Sequence, residues 1–479
     1  MKKSNLSWFT LGSLASSSLS FISIPIIAWM FSDADIGKVA LLISTAGLGT
    51  IVFSLGLDQS YTREFHEAPD QATLLLNAVV PGAALLTLIA ALLVVAQPTW
   101  LSWVLFGQQS LALSLFVIGY LAVVLISRFL SLVHRMREDG KRYALSFLFA
   151  KITFVALVCW AYTRSSRGLF DLLLAHGVSV AVGLCYLLIT TQPIWLRMRL
   201  TLLSRPLQYK LLAFGIPMAT SGLLFWGLEG VDKFMLRSLS SFSELGVYSI
   251  ALSISAMANV ATSMFTTIWV PVVYRWVSNR EDLSRIDQVT RHILAGAVFL
   301  IGTTGALSWL LEYALPEQHR VVQHLITACM LWPLFYALSE TTGLGIAITR
   351  ATRLGLVVAV AALAVNVGIN LILIPRFGSG GATVSLAVGI WVFFALRTEV
   401  SHRIWRRVPR RGLYIWTLTS LALACAHALL GPTQRAAMLA CWLVFLVCAG
   451  IAFRSSVAQA WSFVLMPLRR WRNPHPLAK

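Results

Sequence analysis

Charge is scarce in this 479-residue sequence, and acidic charge is scarcest. Asp, Glu, Lys and Arg together make up 12% of it, with 19 acids against 38 Lys and Arg. A soluble domain carries roughly twice that charged share, so a solvated globular surface is excluded. Cysteine is sparse: Cys159, Cys185, Cys329, Cys425, Cys441 and Cys448 are scattered through apolar stretches and form no C-x-x-C pair. That spacing argues for packing and against a disulfide framework or a thiolate metal site. The histidines show no metal-ligand spacing either; only His319 and His324 lie close. Long hydrophilic connections are missing, which leaves no room for a soluble domain between the apolar stretches. The short alternating segments of a membrane barrel are missing too.

What the sequence has instead is apolar length. Hydrophobic residues make up 58%, and the mean hydropathy is +0.77. Stretches of about 20 apolar residues recur throughout, each able to cross a hydrocarbon core as a helix. They read as spans near 7–31, 36–57, 72–97, 109–133, 143–163, 169–191, 209–231, 246–272, 293–315, 321–348, 354–374, 381–397, 413–430 and 436–453. The expected fold class is therefore all-α integral membrane, with about 14 transmembrane helices. The N-terminus imitates a secretory signal, but its apolar part is too long and no small-x-small site follows a short core. It reads as an uncleaved first helix.

The net charge of +19 is a topology signal. With the N-terminus in the cytoplasm, the inside segments include "HRMREDGKR" (134–142), "RMRLTLLSRPLQYK" (197–210), "RWVSNREDLSRIDQ" (275–288) and "RTEVSHRIWRRVPRR" (397–411). About 28 of the 38 Lys and Arg then fall inside and about 8 outside, while Arg128 and Lys151 remain within spans. Both termini are thus expected in the cytoplasm, and the basic excess requires no nucleic acid. One inside segment disobeys: "DQSYTREFHEAPD" (58–70) is acidic. The tail stretch 458–473 is too short and basic to span and is expected along the inner surface, with Trp461 and Trp471 at headgroup level.

An internal repeat is visible. "FSDADIGKVALLIS" (31–44) matches "SSFSELGVYSIALSIS" (240–255) when Gly37 is aligned with Gly246; Asp35 then meets Glu244 and Ile36 meets Leu245. Each stretch follows a proline-containing helix, with Pro25 in one and Pro217 in the other. The expected organisation is a six-helix half over 1–196, a second over 197–411, two additional helices over 412–453 and a basic tail over 454–479. Such halves are a transporter architecture, with the path between them.

"LLAFGIPMATSGLLFWGLEGVDKFML" (211–236), followed by "SELGVYSIALSIS" (243–255), resembles the polysaccharide transporter family. These are the Wzx-type O-antigen and lipid-linked oligosaccharide flippases of the multidrug/oligosaccharidyl-lipid/polysaccharide exporter superfamily. The shared features are Gly215-Ile216-Pro217, Asp232 closing the seventh span, and Leu245-Gly246-x-Tyr248 opening the eighth. "SLGLDQSYTREF" (54–65) is similar to the family's stretch after the second span. "NVGINLILIPRFGSGGAT" (366–383) is similar to its Asn-rich eleventh span and the turn that follows. The family often carries a basic residue after the first-span proline; here Ala28-Trp29-Met30 follow Pro25. The resemblance implies a non-enzymatic bacterial inner-membrane protein that moves undecaprenyl-diphosphate-linked glycan outward for O-antigen, capsule or exopolysaccharide assembly. Membrane lipid, that glycan and other polysaccharide assembly proteins are the implied partners. No cofactor is implied, and a coupling proton or sodium ion stays open.

Ionisable residues inside spans are functional candidates. Arg128 either faces a cavity or snorkels from its position near the inner end. Lys151 lies about 12 Å in from that end, where snorkelling is harder. Glu229, Asp232, Lys233 and Arg237 cluster at the outer end of the seventh span, as a local ion-pair network or as a gate and phosphate contact. Glu340 either binds a coupling ion or pairs with a cation of another helix. Arg63 contacts diphosphate at the inner mouth or pairs with its acidic neighbours. Asn366 and Asn370, one turn apart, are packing glue or sugar contacts. Arg128, Lys151, Arg63 and Lys233 thus form the expected cationic substrate set, and Glu340, Glu229 and Asp232 the expected gating or coupling set. No catalytic or metal-binding residue is expected.

Two other functions fit parts of the sequence. A cation-coupled multidrug-type exporter of the same superfamily would want an acidic cavity. A membrane polysaccharide polymerase or glycosyltransferase would want a constellation on a sizeable outer loop, which this chain lacks.

Overall fold

The computed structural model describes residues 3–164 and 167–456, so the tail expected at the inner surface lies outside the described residues. Among the described residues every regular element is a helix. They run α1 (Lys3–Met30), α2 (Asp33–Ser54), α3 (Leu57–Glu64), α4 (Gln71–Ala96), α5 (Trp100–Phe106), α6 (Leu111–Met136), α7 (Gly140–Ala161), α8 (Leu169–Trp195) and α9 (Arg205–Leu239). The rest are α10 (Phe242–Ser278), α11 (Ser284–Leu307), α12 (Leu311–Ala314), α13 (Val322–Thr342), α14 (Gly345–Ile348), α15 (Thr352–Ile404), α16 (Arg411–Leu430) and α17 (Arg435–Ala452). Ser32, Asp70, Ser110, Asp139 and Ser204 cap α2, α4, α6, α7 and α9 by accepting a backbone N–H with the side chain, which satisfies donors that the first turn leaves free.

Twelve of these helices are long and apolar enough to cross a membrane. One, α15, has 53 residues, about 80 Å at 1.5 Å per residue and far more than one crossing needs. It breaks at Gly378, whose φ of 53° and ψ of −125° are non-helical. Counting α15 as two spans and adding α1 gives fourteen among the described residues. This is a multi-pass membrane protein. The turn expected over Gly378, Gly380 and Gly381 is tighter than the sequence implied: Gly378 alone carries it. The backbone N–H of Ser379 is held by Glu244 at 2.7 Å.

The acidic segment 58–70 begins as a helix. Residues 57–64 form α3, in which Asp58, Ser60, Tyr61 and Glu64 are buried. Its acids answer bases from neighbouring helices: Arg128 on Asp58 and Lys210 on Glu64. The seventh span also runs on past Asp232, to Leu239.

The contacts divide the chain into two compact units. Unit 1 comprises Met1–Met257, Tyr313–Arg320 and Val367–Ala382; unit 2 comprises Ala258–Glu312, Val321–Asn366 and Thr383–Lys479. In unit 1, Gly37 and Gly246 make a reciprocal close approach. A Cβ on Gly37 would overlap the carbonyl oxygen of Phe242, and one on Gly246 would overlap that of Asp33. Each glycine meets the residue four before the other. Small residues are what let membrane helices approach this closely. Gly246→Val is expected to cost about 1–3 kcal/mol through forced backbone shifts, read as a lower midpoint in thermal unfolding in detergent. An unchanged midpoint would rule out the tight packing.

The Tyr313–Arg320 segment is pinned to the α1–α2 corner. His319 is fully buried, with Nε2 2.9 Å from the Ala28 carbonyl and Nδ1 2.5 Å from Asp33. The Trp29 indole donates to the Ala314 carbonyl at 3.0 Å. Unit 2 is built around Trp269, Val273, Ile286 and Leu344.

Candidate functional site

Unit 1 contains a cavity of about 250 Å³ lined by Ser20, Ser23, Lys151, His176, Ser249 and Ser253 among apolar side chains. At roughly 30 Å³ per water this is the space of about eight waters, enough for a phosphate-sized group and too little for a whole saccharide. Lys151 reaches it from the middle of α7. Its ammonium lies 5.9 Å from the Phe154 ring centroid, at the limit of a cation–π contact. Phe154 in turn packs on His176, with ring centroids 4.4 Å apart. Among the described residues no carboxylate lies within ion-pairing distance of Lys151.

Of the other expected cations, Arg128 and Arg63 lie within ion-pairing distance of carboxylates. Arg128 donates from Nε and Nη2 to Asp58 at 3.1 and 2.7 Å. It lines a second cavity in unit 1, of about 300 Å³, with Thr50, Ser127, Ser131 and Ser146. Arg63 is largely exposed, stands 4.6 Å over the Phe214 ring, and lies 3.8 Å from Glu64. Lys233 is half-buried beside Asp232 and one turn from the exposed Glu229. Arg237 turns away from that group and donates to the carbonyls of Val104 and Trp103 at 3.1 and 3.3 Å.

The carboxylates separate in a similar way. Asp232 is fully buried and accepts from the Tyr248 hydroxyl at 2.8 Å and the Asn370 amide at 2.5 Å. The sequence's coupling candidate and one of its two structural amides thus meet in one hydrogen-bonded cluster of unit 1. Burying an ionisable group in this way is expensive unless its oxygens are satisfied. Asn366, also fully buried, belongs to unit 2 and packs on Gly389. Glu340, in unit 2, is held by Arg397 at 2.5 Å. Its own backbone carbonyl accepts the Trp269 indole at 3.1 Å.

Sequence reasoning passed over Asp58 as a partner of Arg128, and Arg397 as the partner of Glu340. It also passed over His176 in the lysine cavity and Tyr248 on Asp232. Tyr248 was visible as a motif residue without a role. The other three pairings join positions tens of residues apart, so no local spacing reveals them.

A family model described as "Polysaccharide biosynthesis protein" matches residues 3–276. No match was found among curated proteins. Among solved structures, "Lipid II flippase MurJ, inward closed conformation" superposes with a TM-score of 0.68 at 12% identity, covering 94% of this chain and 99% of that one. The inward-facing conformation of a multidrug resistance MATE family transporter of the MOP superfamily superposes with a TM-score of 0.56 at 15% identity, covering 82% of this chain and 94% of that one. At such identities the likeness is one of fold.

Proposed function

The chain belongs to the polysaccharide biosynthesis protein family, and from that premise we propose that it flips an undecaprenyl-diphosphate-linked oligosaccharide across the bacterial inner membrane by alternating access. The observation that carries this reading is Lys151: a cation deep in a span, at a cavity rimmed by hydroxyls, with no carboxylate among the described residues to neutralise it. An unpaired charge in a membrane interior is costly, and such residues mark substrate paths. A diphosphate is the group that would compensate it. The lipid tail would stay in the bilayer while the charged headgroup crosses. A cationic drug would be repelled by the same site, which argues against the multidrug-type alternative. Asp232, held by Tyr248 and Asn370, is our candidate for coupling to a proton or sodium ion.

Deletion of the gene should cause undecaprenyl-linked repeat units to accumulate on the cytoplasmic leaflet while surface polysaccharide is lost. Unchanged glycans together with altered drug tolerance would sink the proposal in favour of the small-molecule exporter.

A further inference from the structure

The two helices beyond the twelve-helix core, α16 and α17, help build a second polar cavity that the flippase reading does not use. In unit 2 the ends of α11 and α16 meet the starts of α13 and α17. They enclose about 240 Å³ lined by Trp309, Gln323, His324, His427, Arg435 and Leu439, among others.

Its polar lining includes two imidazoles and an amide, with a cation at the rim. His427 Nδ1 accepts the Trp442 indole at 2.6 Å, so its proton sits on Nε2, and the ring is a donor that cannot bind a metal through that nitrogen. His324 is buried, and among the described residues its Nδ1 has no hydrogen-bond partner. Arg435 is more than half exposed and pairs with Glu312 at 2.7 Å; Gln323 donates to the same carboxylate at 2.8 Å. A guanidinium carries five N–H donors in a fork suited to phosphate, and one ion pair leaves several of them free.

The surroundings say where the ligand comes from. On α17, Arg435 is followed at intervals of four by Leu439, Leu443 and Val447, exposed by 38%, 51% and 63%. That spacing keeps them near one face of the helix. A headgroup-level cation therefore heads a bare apolar stripe. We propose that this cavity binds the phosphate of an anionic phospholipid, whose acyl chains lie along the stripe.

The test uses the full-length protein in detergent, titrated with phosphatidylglycerol, phosphatidylcholine or millimolar inorganic phosphate and followed by native mass spectrometry. Wild type should retain phosphatidylglycerol in preference to phosphatidylcholine. Arg435→Gln should weaken phosphatidylglycerol binding about fivefold, the effect of one basic residue at an anionic headgroup, with phosphatidylcholine unchanged. Leu439→Trp, which keeps the charge and fills the mouth, should weaken it as well. Lipid-free unfolding midpoints will show that both variants fold. The proposal is overturned if both variants bind phosphatidylglycerol like wild type, or if inorganic phosphate displaces the lipid fully. Neither readout depends on glycan export.

Discussion

Lys151→Ala is expected to cut glycan export about 10- to 150-fold, the factor set by losing one charge-assisted hydrogen bond of about 1.5–3 kcal/mol. The measurement is surface polysaccharide per cell at matched membrane abundance. Stability should move the other way or not at all. Lys151 has no carboxylate partner among the described residues, so alanine strands no opposite charge and relieves a buried one. Lys151→Arg, which keeps the cation, should retain most export. A merely structural lysine would give the reverse pattern, with abundance falling and export per molecule preserved. Wild-type export by Lys151→Ala would end the cationic-site assignment. Arg128 is a poorer probe, because its removal abandons Asp58. A carboxylate left without its partner destabilises the fold, and lost export would then report on folding as much as on cargo.

How much of this was legible beforehand follows from range. The spans were readable because a bilayer imposes a local rule: every crossing needs its own run of apolar residues. The Gly37–Gly246 alignment was readable from a short shared motif, and the structure places those two glycines against each other's helix starts. The 58–70 segment showed its charges in sequence but not their partners. In α3 the same charges sit buried on a short helix whose partners, Arg128 and Lys210, lie far along the chain. The break after the eleventh span was placed correctly by its glycines. Glu244, whose carboxylate fixes Ser379, lies over a hundred residues away and left no local trace.

The site was legible as residue types and not as pairings. Four cations stood level in the sequence. Only the fold distinguishes Lys151 from Arg128 and Arg63, by supplying carboxylates to two and, among the described residues, none to the third. Glu340 and Asp232 were likewise level as coupling candidates. Arg397 occupies the first, whereas the Tyr248 hydroxyl and the Asn370 amide donate to the second. A carboxylate bound to a guanidinium has its charge already answered. One held by a hydroxyl and an amide has its geometry fixed by groups that carry no charge of their own.

That distinction makes Asp232→Asn the sharper experiment of the two. Asparagine has the same shape and keeps an acceptor oxygen for one of the two donors, so the variant should accumulate and fold. It cannot take up a proton or balance a cation. In liposomes, transport driven by an imposed proton or sodium gradient is expected to fall at least tenfold and to lose its dependence on that gradient. Asp232→Ala confounds the question by leaving the Tyr248 hydroxyl and the Asn370 amide without their acceptor, at about 1–3 kcal/mol each. Tyr248→Phe removes one hydrogen bond and leaves the charge. If Asp232 is the coupling group, that variant should still respond to the gradient, with altered ion dependence. A structural carboxylate predicts the opposite order: Asp232→Asn keeps its gradient response, and both it and Tyr248→Phe lose only thermal stability. That result would move the coupling site elsewhere in the chain and leave Lys151 to be judged alone.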